Sequence, residues 1–260
     1  MITLYKNFIF LIFLGCFIPF VSFAQENLAT TDYQAYKSTR FASDKWDNFV
    51  KEGMIAFYDA HYDVAQANHN KAYSMGCQSP IVLFQLALMH EYQRSYYSAF
   101  KFYDQAREKF KEANSDHRYA QTFEENYGRA LYDSGKMDEA VPMLQKAAKK
   151  SKSFWLLKLV GMIAFDQNDT LNATSYFERA VRIQSPEVTP SELVFIYTLL
   201  GRIYVNKGEK DGALRYYQKV LEFDAQNKEA NYVVSRLQKS YQEEDDGGGM
   251  KAIYEQISDD

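Results

Sequence analysis

Few side chains in this sequence could bind a metal or attack a carbonyl. It has four histidines, His61, His69, His90 and His117, and two cysteines, Cys16 and Cys77. A zinc site needs three or four imidazole, thiolate or carboxylate groups brought together at short spacings. The four histidines fall on different predicted helices, and no two have ligand spacing with a thiol or carboxylate nearby. His61 sits at a predicted turn, while His69 and His90 occupy positions where a core aromatic is expected. Cys77 reads as a small apolar filler, since a thiolate nucleophile needs a base that the sequence does not place. Gly247-Gly248-Gly249 follows four acidic residues and no strand, unlike a phosphate-binding loop. These residues predict no catalytic centre, no metal and no cofactor, and hence no enzyme.

The pattern that does recur is one of size. Gly53, Ala87, Gly128, Gly161 and Gly201 each precede an alanine by twelve residues: Ala65, Ala99, Ala140, Ala173 and Ala213. Four residues further on stand His69, Tyr103, Leu144, Phe177 and Tyr217, and three beyond those Ala72, Ala106, Ala147, Ala180 and Val220. Spacings of three and four place side chains on one helix face. A small residue on each of two helices lets the backbones approach, and the large ring fills the space beside them. Gly135, Asn168 and Gly208 mark the turn between the helices. Each unit is a helix pair that must stack on neighbours to bury its apolar face.

Five copies of this arrangement resemble the tetratricopeptide repeat (TPR). The units start at Trp46, Pro80, Gln121, Phe154 and Val194, at spacings of 34, 41, 33 and 40. No unit has the family's late proline, and Pro142 falls inside a second helix, where it removes one backbone hydrogen bond. The resemblance implies an all-α fold, a right-handed α-solenoid of about five helix pairs with a C-terminal capping helix. The expected array is 46–226, in units 46–79, 80–113, 121–153, 154–187 and 194–226. The first long spacing reads as one or two extra turns of helix through "REKFKEANSDHRYAQ". The second reads as the loop "SPEVTPSEL", with Thr189 capping, Pro190 at the first helical position and Glu192 closing a capping box. Ser79 before Pro80 reads the same way. Residues 227–242 are expected to close the array as an amphipathic helix. An acidic and glycine linker with a short tail occupies 243–260, with Met250, Ile253, Tyr254 and Ile257 on one side of the tail.

At the other end, Phe8 to Ala24 is almost wholly apolar, and Ser22-Phe23-Ala24 puts small residues before a possible cut at Gln25. Residues 1–24 are read as a signal peptide because the run is short and broken by Pro19. An uncleaved anchor, or a lipoprotein through Cys16 in Leu14-Gly15-Cys16, remain as alternatives. Cleavage takes away Lys6 alone and leaves 29 basic against 34 acidic residues. That balance argues against nucleic acid, and no later segment reads as a membrane span. Residues 25–45 form an N-terminal lead-in, of which 25–40 have weak periodicity and read as partly disordered. The expected destination is the periplasm or the exterior of a bacterium.

The chain has 21 Tyr and 19 Phe, most of them at core positions of the repeat. The resemblance assigns others to the concave face, which first helices line. The candidate partner-binding residues are Met54, Phe57, Phe84, Tyr92, Arg129, Tyr132, Trp155, Lys158, Phe165 and Arg202. The family's Lys and Asn carboxylate clamp is absent, since Val50 and Met54 occupy those positions. An aromatic and Met-containing groove with a few cations suits a protein or peptide segment. The alternatives are that the chain's own ends cover this face, or that the protein is a structural subunit of an envelope or secretion assembly using the array edges.

Overall fold

The computed structural model describes residues 18–242 except residue 187, with side chains described within 27–239. All regular structure among them is helical: α1 (Ile18–Lys37), α2 (Asp47–Tyr58), α3 (Tyr62–Ser74), α4 (Pro80–Tyr92), α5 (Tyr96–Glu112), α6 (Arg118–Gln121), α7 (Phe123–Asp133), α8 (Met137–Ala148), α9 (Phe154–Asp166), α10 (Thr170–Ala180), α11 (Pro190–Asn206), α12 (Lys210–Phe223) and α13 (Lys228–Gln242). The chain divides into two compact units, Met1–Ala130 and Leu131–Asp260. In the first, α2 pairs with α3 and α4 with α5; in the second, α9 pairs with α10 and α11 with α12.

The small residues do what their spacing requires. A Cβ added to Gly161 would lie 2.6 Å from the Phe177 ring, and one on Gly201 would lie 2.6 Å from the Tyr217 ring. Gly53 faces the His69 ring in the same way. Ala65, Ala99, Ala140, Ala173 and Ala213 are all fully buried. In the second unit, Val205, Ala213, Tyr217 and Val220 form a core with Ala230, Val233, Val234 and Leu237 of α13. The last helix therefore closes the array by burying its own apolar stripe.

All five inter-helix turns share one geometry. Residues Ala60, Arg94, Gly135, Asn168 and Gly208, each seven after the small residue, have φ between 58° and 86°. The following N–H reaches back to the first helix: His61 to Ala56, Ser95 to His90, Lys136 to Leu131, Asp169 to Ala164 and Glu209 to Tyr204, at 2.8 to 2.9 Å. This is a Schellman closure, whose left-handed residue suits glycine or asparagine. Ala60 and Arg94 take that conformation despite their Cβ.

Three expectations need correction. α5 carries the extra turn, running 17 residues to Glu112 where the other second helices have 11 to 14, but Asn114 with φ 45° ends it before the short α6, so helix does not continue through 113–117. The Ser79 side chain makes no cap hydrogen bond, and its buried Oγ has no partner. The lead-in is ordered: α1 reaches Lys37 and packs against α2. Its single buried stripe, Ala29, Asp32 and Tyr36, is too short and too polar to read as amphipathic. As expected, α11 starts at Pro190, with Thr189 Oγ1 accepting from the Glu192 N–H. Most of the signal-peptide segment, and the tail with Met250, Ile253, Tyr254 and Ile257, lie outside the described residues. Among the described residues no helix is long and apolar enough to cross a membrane.

Candidate functional site

In the first unit, Tyr58, Phe57, Tyr62 and Tyr92 form a row of rings. Centroids are 5.3 Å apart for Phe57 and Tyr58, 5.7 Å for Phe57 and Tyr62, and 5.4 Å for Tyr62 and Tyr92. Phe57 and Tyr62 are half-buried, whereas Tyr92 is 61% exposed. Two candidates in this unit are not available to a partner. Met54 and Phe84 are fully buried, and Phe84 stacks on Tyr119 at 4.6 Å. Phe84 also packs on Tyr103 and Phe110 of α5 and on Phe123 of α7, at 5.5, 6.2 and 5.9 Å, and α1 packs against α2, the helix of Met54.

The candidate cations are already engaged. Arg129 donates to Glu91 Oε1 from Nε and Nη2 at 3.1 and 3.0 Å. The Tyr103 hydroxyl donates to the other oxygen of Glu91 at 2.6 Å. The second unit repeats this device: Arg202 donates to Glu229 at 2.9 and 2.7 Å, and Tyr217 donates to it at 2.6 Å. Burial, reinforced by the neighbouring carboxylate, raises both phenols above the usual tyrosine range. Lys158 pairs with Glu192 and lies 5.0 Å above the Trp155 ring and 5.2 Å above Phe195. Trp155, Tyr132 and Phe165 are half-buried, and Phe195 is 40% exposed. Each of the three cations thus has a carboxylate partner within its own unit.

Sequence reading missed a buried polar network in the first unit. Asp32 of α1 is fully buried. Its carboxylate accepts from Arg118 Nε at 3.2 Å and Nη2 at 2.9 Å, and from the Tyr58 hydroxyl. His117 Nε2 stands 3.0 Å away and Gln85 Nε2 3.4 Å away. Gln85 also donates to the Tyr119 hydroxyl at 3.1 Å, and its Oε1 lies 2.7 Å from His69 Nε2. The Tyr58 and Tyr119 hydroxyls are 2.7 Å apart. Arg118 covers the Tyr119 and Tyr58 rings at 4.6 and 5.5 Å. Only one signal pointed here, the 41-residue spacing, whose additional residues carry His117, Arg118 and Tyr119.

This geometry suits recognition. Donors converge on a carboxylate, and among the described residues no nucleophile is paired with a general base. Among the described residues no group of three or more His, Cys, Asp or Glu is placed to hold a metal. Burial pushes the Cys77 thiol up to about 11, which leaves it unreactive near neutrality.

Residues 196–227 match the family model for the tetratricopeptide repeat. This stretch carries a tetratricopeptide repeat. The matched stretch is the chain's fifth unit, and the other four units share that unit's spacing and turn. Among solved structures, the C-terminal part of a TPR repeat-containing protein from Cytophaga hutchinsonii aligns at 20% identity and TM-score 0.52, over 78% of this chain and 75% of that one. YrrB, described as a TPR protein with an unusual peptide-binding site, aligns at 15% identity and TM-score 0.53, over 80% and 99%. The quorum sensor NprR from B. thuringiensis, in its apo form, aligns at 15% and 0.50, over 89% and 68%. At these identities the likeness establishes the TPR fold. No curated protein matches the chain.

Proposed function

We propose that the chain is a non-catalytic TPR scaffold of a bacterial envelope that binds a segment of another protein through the first helices of its repeats. One observation carries this: Tyr92 stands 61% exposed at the end of a row of rings. Interface energy concentrates in a few rigid aromatic side chains that the fold does not need for itself. The second unit offers a comparable patch, Trp155 and Phe195 with Lys158 between their faces. With Arg129, Lys158 and Arg202 neutralised by carboxylates, apolar contact outweighs charge on these patches. The peptide-binding site named for YrrB supports the reading by analogy of fold. The apolar run ending in Ser22-Phe23-Ala24 supports export.

The test is capture of a partner from the native envelope by cross-linking, with the parent and with Phe57→Ala plus Trp155→Ala. Capture is expected to fall at least tenfold while circular dichroism and melting change little. Unchanged capture with an intact fold overturns the reading and favours assembly through array edges.

A further inference from the structure

α1 is held in an unusual way for a helix at the end of an array. Its described buried residues are Ala29, Asp32 and Tyr36, one stripe at spacings of three and four. Its neighbours Leu28, Thr30, Thr31 and Gln34 are exposed. Beside these two apolar side chains, the Tyr33 hydroxyl donates to Asp47 of α2 at 2.7 Å and Lys37 pairs with the same carboxylate at 3.2 Å, so among the described residues polar contacts carry much of the docking specificity, and the buried one is the Asp32 carboxylate. That carboxylate meets a planar guanidinium fork from Arg118, two linked phenols, an imidazole and an amide. Arg with its fixed donor geometry is the side chain suited to bidentate carboxylate recognition. Every donor comes from α2, α4 or the α6 region, so the receptor side of this contact is complete without α1.

We propose that α1 is an intramolecular ligand, and that the pocket of Tyr58, Gln85, His117, Arg118 and Tyr119 receives an acidic helical segment of a partner protein that displaces it. This rests on the reading that the first-helix face of the first unit binds protein segments, and it names the partner's chemistry. The partner segment carries a small residue, an Asp or Glu three residues later, and an aromatic four beyond that, as in Ala29, Asp32 and Tyr36. Burying such a carboxylate is tolerable only where a charge and hydrogen bonds meet it. Segments lacking the acid leave Arg118 facing an unpaired pocket and are rejected, which gives the site its selectivity.

The experiment uses the full chain with a protease site inserted between Asp44 and Lys45, both exposed, nicked after folding. Tethered α1 competes at an effective concentration in the millimolar range; nicking removes that advantage. Two fluorescent helical peptides serve as probes. One has the sequence of residues 26–40; the other is unrelated except for the Ala, Asp and Tyr stripe. Both are expected to bind the nicked chain at least tenfold more tightly than the intact chain. Replacing the peptide's Asp with Asn, or Arg118→Ala in the protein, should weaken binding at least tenfold. In the intact chain, Asp32→Asn should increase binding of the unrelated peptide, and circular dichroism of the nicked parent provides a folded reference independent of that variant. Equal binding of Asp and Asn peptides overturns the proposal, as does binding of the first peptide alone. A nicked chain that neither releases α1 nor accepts a peptide also overturns it and makes α1 a structural cover. A dimer formed on nicking, seen by light scattering, assigns the pocket to a second copy and overturns it too. If the peptides fail while Phe57→Ala plus Trp155→Ala still loses captured partner, the latch falls and the scaffold reading stands.

Discussion

His69 Nε2 lies 2.7 Å from Gln85 Oε1 in the interior of the first unit. Because the Gln85 amide donates to Asp32 and Tyr119, its oxygen accepts, and His69 is a neutral Nε2–H donor. Burial lowers its pKa from 6.5 to about 4. The unfolded chain therefore binds a proton that the folded chain does not across that interval. Stability from this group is present in full above pH 6.5 and is lost as pH falls through 4. The loss is roughly 3 kcal/mol at most by linkage. His69→Phe, the residue type used opposite Gly161 in the fourth unit, should flatten the decline between pH 6.5 and 4. Urea unfolding of both proteins at pH 7 and pH 4.5 measures it. An unchanged pH slope would show that His69 does not titrate as a buried group.

Ala60 closes the first turn with φ 60° where the third, fourth and fifth units place Gly or Asn. A left-handed non-glycine residue costs on the order of 1 kcal/mol. Ala60→Gly should raise stability by about 0.5–1 kcal/mol, reduced by the greater freedom of glycine in the unfolded chain. A lower melting temperature would count against this account of the turn. Gly208→Ala, at φ 74°, should act in the opposite direction.

Ala213 is fully buried beside Tyr217, Val220 and Val233. Ala213→Leu should overpack this cluster and cost about 1–3 kcal/mol, and Ala140→Leu should behave similarly. Leu171→Ala, at a residue 76% exposed, should change stability by less than ~0.5 kcal/mol. Melting curves of the three variants against the parent decide the point: equal melts would place Ala213 and Ala140 outside the close contacts.

The mature N-terminus is expected at Gln25, which lies within α1. Mass spectrometry of the protein recovered from its own host checks this. An N-terminus at Met1, or a lipid on Cys16, would remove export by a cleaved signal from the account. Cleavage there leaves Asp32 eight residues into the mature chain, with Ala29 and Tyr36 retained for docking.

The helix pairs were legible because their determinants are local. Gly161 and Phe177 are sixteen residues apart, Gly201 and Tyr217 likewise, and a period that short is written directly in the order of small and large residues. The shared turn followed from the same register, and the start of α11 from Thr189, Pro190 and Glu192. Tertiary structure decided the character of the binding face. Asp32 meets Arg118 and His117 across more than eighty residues of sequence, and no local period records which helix an isolated carboxylate will join. Arg129 finds Glu91 and Arg202 finds Glu229 at separations of 38 and 27, so cations that looked available in the sequence are neutralised once helices stack. Phe84 likewise became core through rings of α5, α6 and α7 laid against it, and Met54 is fully buried on α2. A side chain's position on its helix follows from the sequence around it, but its availability to a partner depends on what the rest of the chain lays against it.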